Sequence, residues 1–224
     1  MLSLALVATL IALPLSQAAV ISNAIVSGKS TFYGGNLSGG TCSFNTYSIP
    51  SSVYGVAFSG SAWDSAANCG ACIKVTGPSG NSVTAMIVDQ CPECDASHLD
   101  LFQDAFLKLS PTGLSAGIIS TSYQFVECPV SGPIVLRNKS GTSRWWFSMQ
   151  VVNSAVPIKS LEFSTNGGSS WTSTTRRDYN FFEYSSGSGS DSVDVRITAT
   201  TGETIVVSGV SVASDKETSA TSNF

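Results

Sequence analysis

Two carboxylates, Asp89 and Asp100, stand where an acid can do chemistry. Asp89 closes the apolar run Ala85-Met86-Ile87-Val88, and Asp100 lies between Leu99 and Leu101. A carboxyl at the end of an apolar strand is disfavoured in its ionised form, so it keeps its proton to higher pH and can donate it. Each also has a purely structural use. Asp89 suits the turn before Gln90-Cys91-Pro92, and Asp100 can cap a helix, with Gln103 completing a capping box. The single histidine, His98, would have to anchor any Ser–His–Asp triad, but no nucleophile motif adjoins it, and it is expected to be a solvated loop residue. Without a second histidine, a histidine-based metal site is not expected.

The second chemistry-bearing group is aromatic. Ser143-Arg144-Trp145-Trp146-Phe147 is followed later by Asp178-Tyr179-Asn180-Phe181-Phe182. Neighbours on a strand point to opposite faces, which would bury one tryptophan and expose the other. Placing both on a surface platform with Tyr179 requires a bulge or loop at the pair. Flat aromatic faces then stack on the apolar faces of sugar rings, as they do on other flat or cationic partners.

All six cysteines lie between Cys42 and Cys128. Cys69-Gly70-Ala71-Cys72 and Cys91-Pro92-Glu93-Cys94 have the spacing of a four-thiolate zinc site, but in an exported chain an even count reads as three disulfides. Export is the expectation here. Residues 1–18 form an apolar run that ends in small residues suited to cleavage after Ala18, and the run is short for a membrane span. Disulfides, no metal and no cofactor are therefore expected. The formal net charge of −4 and acidic isoelectric point argue against nucleic acid and anionic membranes as partners and suit an uncharged polymer.

The elements that must position these groups read as short strands. In the first half they are expected at 54–58, 72–76, 83–88 and 118–126, with one helix at 101–109 whose Phe102, Ala105, Phe106 and Leu109 share a face. Residues 130–133, within Pro129-Val130-Ser131-Gly132-Pro133, mark a boundary too short to be a flexible tether. The cysteine-free second half shows strands at 134–136, 147–152, 161–163, 193–199 and 205–210, with strict alternation in Val193-Asp194-Val195-Arg196-Ile197-Thr198-Ala199. Regular short strands with turns such as Asn166-Gly167-Gly168 suggest a β-sandwich. The expected division is a first domain at 19–129, a second at 134–214, and a frayed, disordered Ser/Thr-rich tail at 215–224. Sequons at Asn36 and Asn138 are candidate glycosylation points.

Several of these segments together carry a resemblance. Ser30-Thr31-Phe32-Tyr33-Gly34-Gly35, Asn68-Cys69-Gly70-Ala71-Cys72, Val88-Asp89-Gln90-Cys91-Pro92, Leu99-Asp100-Leu101 and Phe125-Val126-Glu127-Cys128 resemble the double-psi β-barrel of expansins, barwin-like proteins and loosenins. Arg144-Trp145-Trp146 and Asp178-Tyr179-Asn180 resemble the second domain of two-domain microbial expansins. The resemblance implies an all-β fold, a six-stranded double-psi β-barrel followed by an immunoglobulin-like β-sandwich that binds carbohydrate. It implies a groove of Thr31, Tyr33, Asp89 and Asp100, in which Asp100 matches the residue indispensable for loosening. It implies a platform of Trp145, Trp146 and Tyr179 supported by Lys139, and the pairings Cys42–Cys69, Cys72–Cys128 and Cys91–Cys94.

The implied function is a secreted, monomeric protein that binds cellulose, xyloglucan or another wall polysaccharide and loosens the network without hydrolysis. Two departures matter. Cys91 stands where bacterial members often have a tyrosine, and Phe102 replaces a natural helix cap, which favours the capping use of Asp100. Hydrolysis remains an alternative because family forty-five endoglucanases share the barrel. Their general base falls near Gly34-Gly35-Asn36, where this chain has no carboxylate. Asp64, Glu93 or Asp95 would serve only if loops carried them across the groove. Lytic cleavage with Asp100 as sole acid, and a non-catalytic barwin-like binding or defence module, are the other readings.

Overall fold

The computed structural model of the chain describes residues 24–35 and 37–224; the segment read as a signal peptide and the sequon residue Asn36 lie outside them. Six strands close into a barrel: β1 (Val26–Tyr33), β2 (Tyr54–Ser59), β3 (Cys72–Thr76), β4 (Ser82–Cys91), β5 (His98–Phe102) and β6 (Ile119–Val126). Their order around the barrel is β1-β5-β2-β4-β3-β6. The pairs β1/β5 and β2/β4 are parallel and the other pairs antiparallel. These two interleaved parallel pairs give the double-psi arrangement.

β4 carries the most apolar run because both flanks are covered: Ala85, Met86, Ile87 and Val88 are all buried between β2 and β3. One α-helix among the described residues, α1 (Gln103–Leu109), packs on the barrel through Ala105, Phe106 and Leu109, with the Phe106 ring 4.7 Å from that of Phe32. The helix starts two residues later than its periodicity suggests. Leu99 and Leu101 alternate with His98, Asp100 and Phe102, and both leucines are fully buried, so period-2 burial extends the strand through Phe102. Phe102 is therefore the N-cap, with no side-chain cap bond. The capping use of Asp100 is corrected: it is a strand residue facing away from the core.

β1 escapes sequence reading because Ser27-Gly28-Lys29-Ser30 has no apolar alternation. Its place is set by hydrogen-bonded neighbours on both sides, β5 and β6. Gly28 is required there, since a Cβ would lie 2.0 Å from the Ser97 carbonyl oxygen.

The second domain is a sandwich of two sheets. Its strands are β7 (Val135–Asn138), β8 (Phe147–Val152), β9 (Ile158–Ser164), β10 (Thr172–Ser173), β11 (Thr175–Arg176), β12 (Phe182–Tyr184), β13 (Ser192–Ala199), β14 (Thr204–Ser211) and β15 (Glu217–Ser219). One sheet runs β10-β9-β13-β14 and the other β11-β12-β8-β7-β15. Leu136, Phe147, Met149, Leu161, Phe163, Val195 and Ile197 fill the space between them. Each such side chain contributes about 1.5–3 kcal/mol through burial. The tail expected to fray does not: β15 pairs with β7, Ala220 is buried, and Phe224 packs against the sandwich core. Its low hydrophobicity hid an edge strand whose stability comes from ladder bonds.

Disulfides join Cys42 to Cys69, Cys72 to Cys128 and Cys91 to Cys94, which are the pairs the resemblance implies. The domains meet along a bonded seam. Gln150 Nε2 and Asn180 Nδ2 both donate to the Cys42 carbonyl, at 2.8 and 3.3 Å. Trp63 Nε1 donates to the Asp178 carbonyl at 3.1 Å. Arg176 reaches across to the Ala66 carbonyl at 2.9 Å, and burial lowers its pKa to about 10.

Candidate functional site: a barrel groove and an aromatic platform

One rung of the barrel brings the groove together. Thr31 on β1 pairs with Asp100 on β5, Asp100 with Ala57 on β2, and Ala57 with Asp89 on β4. Residues directly opposite in a ladder share a face, so the two carboxylates flank the small, buried Ala57 as a groove floor. Reaching that face needs an irregularity. Val56 pairs with Ile87 but Ala57 with Asp89, so Val88 is an extra residue in β4. This bulge turns Asp89 outward directly after an all-buried run.

The two carboxylates are held differently. Asp89 Oδ1 accepts from Thr41 N at 2.7 Å, Thr41 Oγ1 at 3.0 Å and Gln90 N at 2.8 Å, and Oδ2 accepts from the Tyr33 hydroxyl at 3.3 Å. Asp100 Oδ1 accepts from Thr31 Oγ1 at 2.5 Å, and that hydroxyl also lies 2.9 Å from His98 Nε2. Partial burial raises the Asp100 pKa. The Thr31 hydrogen bond and the His98 charge act against the rise, while Glu93 and Asp89 add to it. Asp100 is thus the carboxyl suited to hold and donate a proton.

The carboxylates weighed as a second catalytic group separate. Asp95 pairs with Lys29 at 3.2 Å, and Asp64 lies at the seam, where it acts on Arg176. Only Glu93, exposed in the Cys91–Cys94 loop, acts on Asp100 electrostatically. Tyr33 packs on Ala57 and the Cys91–Cys94 disulfide, with its ring edge-on to Phe102 at 5.5 Å. Gly55 makes room for Phe102, whose ring would stand 2.4 Å from a Cβ there.

On the sandwich, the tryptophan pair avoids the period-2 constraint through a turn. Ser143 and Trp146 exchange backbone hydrogen bonds at 2.9 and 3.1 Å, leaving Arg144 and Trp145 as the two corner residues. Trp145 is 73% exposed at that corner. Trp146 immediately precedes β8, whose first residue, Phe147, points into the core, so Trp146 takes the outer face. Lys139 Nζ lies 5.6 Å from the rings of both Trp146 and Tyr179, joining them as a shared cation. The Arg144 guanidinium stacks on Trp145 at 5.4 Å and donates to the Gly189 carbonyl at 2.6 Å. Gly187, at φ +68°, lies beneath this turn, where a Cβ would be 2.2 Å from the Arg144 carbonyl oxygen.

Tyr179 is anchored from below. Its hydroxyl donates to Glu183 Oε1 at 2.7 Å, and Glu183 also accepts from Ser148 at 3.1 Å and Arg177 at 2.8 Å. Burial, then this carboxylate partner, pushes the Tyr179 pKa up to about 12.

The seam links the two regions: Thr41 bonds Asp89, while the next residue, Cys42, accepts from Asn180, the residue after Tyr179. Asn138 is corrected as a glycosylation candidate. It is 2% exposed, and its Nδ2 donates to the Ser211 and Ala213 carbonyls, both at 2.7 Å, so a glycan there is incompatible with this packing.

Sequence reasoning missed His98, Ala57, Thr41, Glu183 and Gly187. For His98 a signal was present: two residues before Asp100 on a leucine-alternating segment is the same strand face. For Ala57 and Thr41 none was, because barrel register across non-adjacent segments brings them in.

Residues 46–128 match the Barwin family. Expansin-like protein 1 of Dictyostelium discoideum is 30% identical over 226 residues, covering 96% of this chain and 78% of that protein. Expansin-YoaJ of Bacillus subtilis is 31% identical over 193 residues, covering 84% of this chain and 80% of that protein. Among solved structures, a variant of Clavibacter michiganensis expansin in complex with cellohexaose aligns with a TM-score of 0.79 and 32% identity, over 89% of this chain and 98% of that one.

Proposed function

We propose that this chain, which belongs to the expansin family, is secreted, binds cellulose or a related wall glucan as a monomer, and loosens the polysaccharide network without hydrolysing it. The platform of Trp145, Trp146, Lys139 and Tyr179 takes the flat face of the polymer by stacking. The groove of Thr31, Tyr33, Asp89 and Asp100 takes a glucan strand. The acidic surface suits an uncharged polymer rather than nucleic acid or an anionic membrane.

The observation that carries the non-hydrolytic reading is the contrast between the two groove carboxylates. Asp100 keeps a raised pKa, while Asp89 accepts hydrogen bonds from Thr41, Gln90 and Tyr33 of its own chain. Inverting hydrolysis needs both an acid and a free base that activates water. Lack of a positioned base removes roughly 10²–10⁴-fold of rate. Asp100 instead bonds a glucan hydroxyl, as donor when protonated and as acceptor when ionised. A groove that prefers a separated strand over a packed one shifts the balance away from glucan–glucan hydrogen bonds by the difference in its affinities. No bond breaks, and no cofactor is required.

Lytic cleavage with Asp100 as the sole acid is the second reading, favoured by the raised pKa alone. The test is weakening of cellulose paper, read beside soluble products. Weakening without soluble sugar, abolished by Asp100→Asn while cellulose binding persists, is the expected result. Reducing sugar would establish hydrolysis and anhydro-sugars lysis; undiminished weakening by Asp100→Asn would remove Asp100 from the mechanism.

A further inference from the structure

Given the groove reading above, on which the inference rests, we propose that His98 is a positioning residue for Asp100, acting through the Thr31 hydroxyl as the far end of a three-group hydrogen-bond chain. The geometry is set by strand register. His98 and Asp100 are two apart on β5 and share its outer face, and Thr31 stands opposite Asp100 on β1. The Thr31 Oγ1 lies 2.5 Å from Asp100 Oδ1 and 2.9 Å from His98 Nε2.

A hydroxyl has one hydrogen to donate and lone pairs to accept with. When Asp100 is ionised, Thr31 donates to it, and its own lone pair is then met by an Nε2–H of His98. When Asp100 is protonated, its O–H turns to Thr31, which in turn donates to an Nε2 that carries no hydrogen. Both protonation states of Asp100 are therefore fully hydrogen-bonded. This follows because an imidazole nitrogen serves as donor in one tautomer and acceptor in the other. A Lys or Arg at position 98 would support only the first polarity, and an apolar residue neither.

Besides Asp100, the charged groups around His98 are Lys29, its register partner on β1, and Asp95 on the preceding loop, which are paired to each other; Asp89 and Glu93 face Asp100.

His98 is the only histidine of the chain, so its ring nitrogens give unambiguous ¹⁵N signals in the full-length untagged protein. With Asp100 ionised, the expected spectrum shows a single Nε2–H tautomer, which Thr31→Val returns to the mixture of a solvated imidazole. In paper-weakening assays His98→Leu is expected to lose about fivefold in activity, the worth of one hydrogen bond. His98→Gln, which keeps a donor and an acceptor, is expected to recover most of it.

A purely structural histidine would keep the same ring spectrum in Thr31→Val and would not be rescued by His98→Gln. A wild-type ring exchanging tautomers as in free solution, or paper weakening undiminished by His98→Leu, overturns the proposal. Should His98→Leu fail to fold, the wild-type and Thr31→Val spectra decide. Undiminished weakening by Asp100→Asn would instead sink the groove reading while leaving the spectral evidence for the chain intact.

Discussion

The groove and the platform solve different physical problems with different materials. The groove is a single rung, Thr31-Asp100-Ala57-Asp89, spread over four strands, with polar groups that bond one another and the Cys91–Cys94 disulfide beside it. The platform is a two-residue turn and exposed rings, held by the cations of Lys139 and Arg144 and by one buried glutamate, in a domain without cysteine. A one-residue slip in the groove would turn every working side chain into the core. The platform would lose contact area by increments. Register is therefore the requirement of the groove, and surface area that of the platform.

The sharpest way to break this comparison is to remove the platform and ask what the groove retains. Trp145→Ala with Trp146→Ala is expected to weaken cellulose binding by more than about 30-fold, since truncating one anchoring aromatic typically costs about 2 kcal/mol. Pull-down on insoluble cellulose measures it, with the thermal unfolding midpoint as the fold control. Unchanged binding would make the two rings packing residues and move the anchor to the barrel.

The next largest effect is expected at the seam. Asn180→Ala with Gln150→Ala removes both donors to the Cys42 carbonyl, each bond contributing about 1 kcal/mol. If groove and platform must stay aligned on one polymer, paper weakening falls about tenfold while binding stays within about twofold. Loss of both together would mean that the seam supports folding rather than alignment.

A smaller effect separates area from geometry within the platform itself. Gly187→Ala places a Cβ against the Arg144 carbonyl in a left-handed conformation, so the turn bearing Trp145 must shift. Binding is expected to fall about fivefold with both tryptophans still present, with the thermal midpoint lowered by a few degrees, as about 1 kcal/mol does for a domain of this size. If binding holds, Trp145 does not depend on its turn.

The same contrast explains what could be read from the sequence. The sandwich is made of neighbouring antiparallel strands, and Val193-Asp194-Val195-Arg196-Ile197-Thr198-Ala199 alternates because one face is buried; its observed strand, Ser192–Ala199, differs by one residue. The barrel strands β1 and β5 pair with each other in parallel across more than sixty residues; β1 has no apolar alternation, and the Leu99/Leu101 alternation of β5 is too short to tell from a helix face. Hence Leu101 and Phe102 read as helix, and His98 as solvated loop. Asp89 and Asp100 were legible because an acid beside apolar residues is unusual in itself. Their partners Thr41 and Ala57 became visible only once register brought distant segments side by side, whereas His98 shares a strand face with Asp100. In the platform the aromatic types were legible, but not Glu183 beneath Tyr179, because a glutamate in Phe182-Glu183-Tyr184 looks like any solvent-facing strand residue.

The last expected effect is the smallest and tests the comparison by its sign. Partial burial raises the Asp100 pKa in the folded protein, so the unfolded chain ionises first as pH climbs. Stability contributed at Asp100 is present below the ordinary carboxylate range and is lost as pH rises through the raised value. Glu183 behaves oppositely. Its burial would raise its pKa, but hydrogen bonds from Tyr179, Arg177 and Ser148 outweigh that and hold it low. Its contribution is present above the ordinary range and is lost as pH falls through the lowered value. Asp100→Asn is therefore expected to unfold at a higher temperature than wild type at pH 7, and Glu183→Gln at a lower one, with both differences shrinking as the pH is lowered into the acid range. A groove whose acid costs stability and a platform whose acid supplies it would mark the groove carboxyl as kept for strand binding rather than for folding. Thermal melts of the two variants moving in the same direction at pH 7 would show that the carboxylates serve the same purpose.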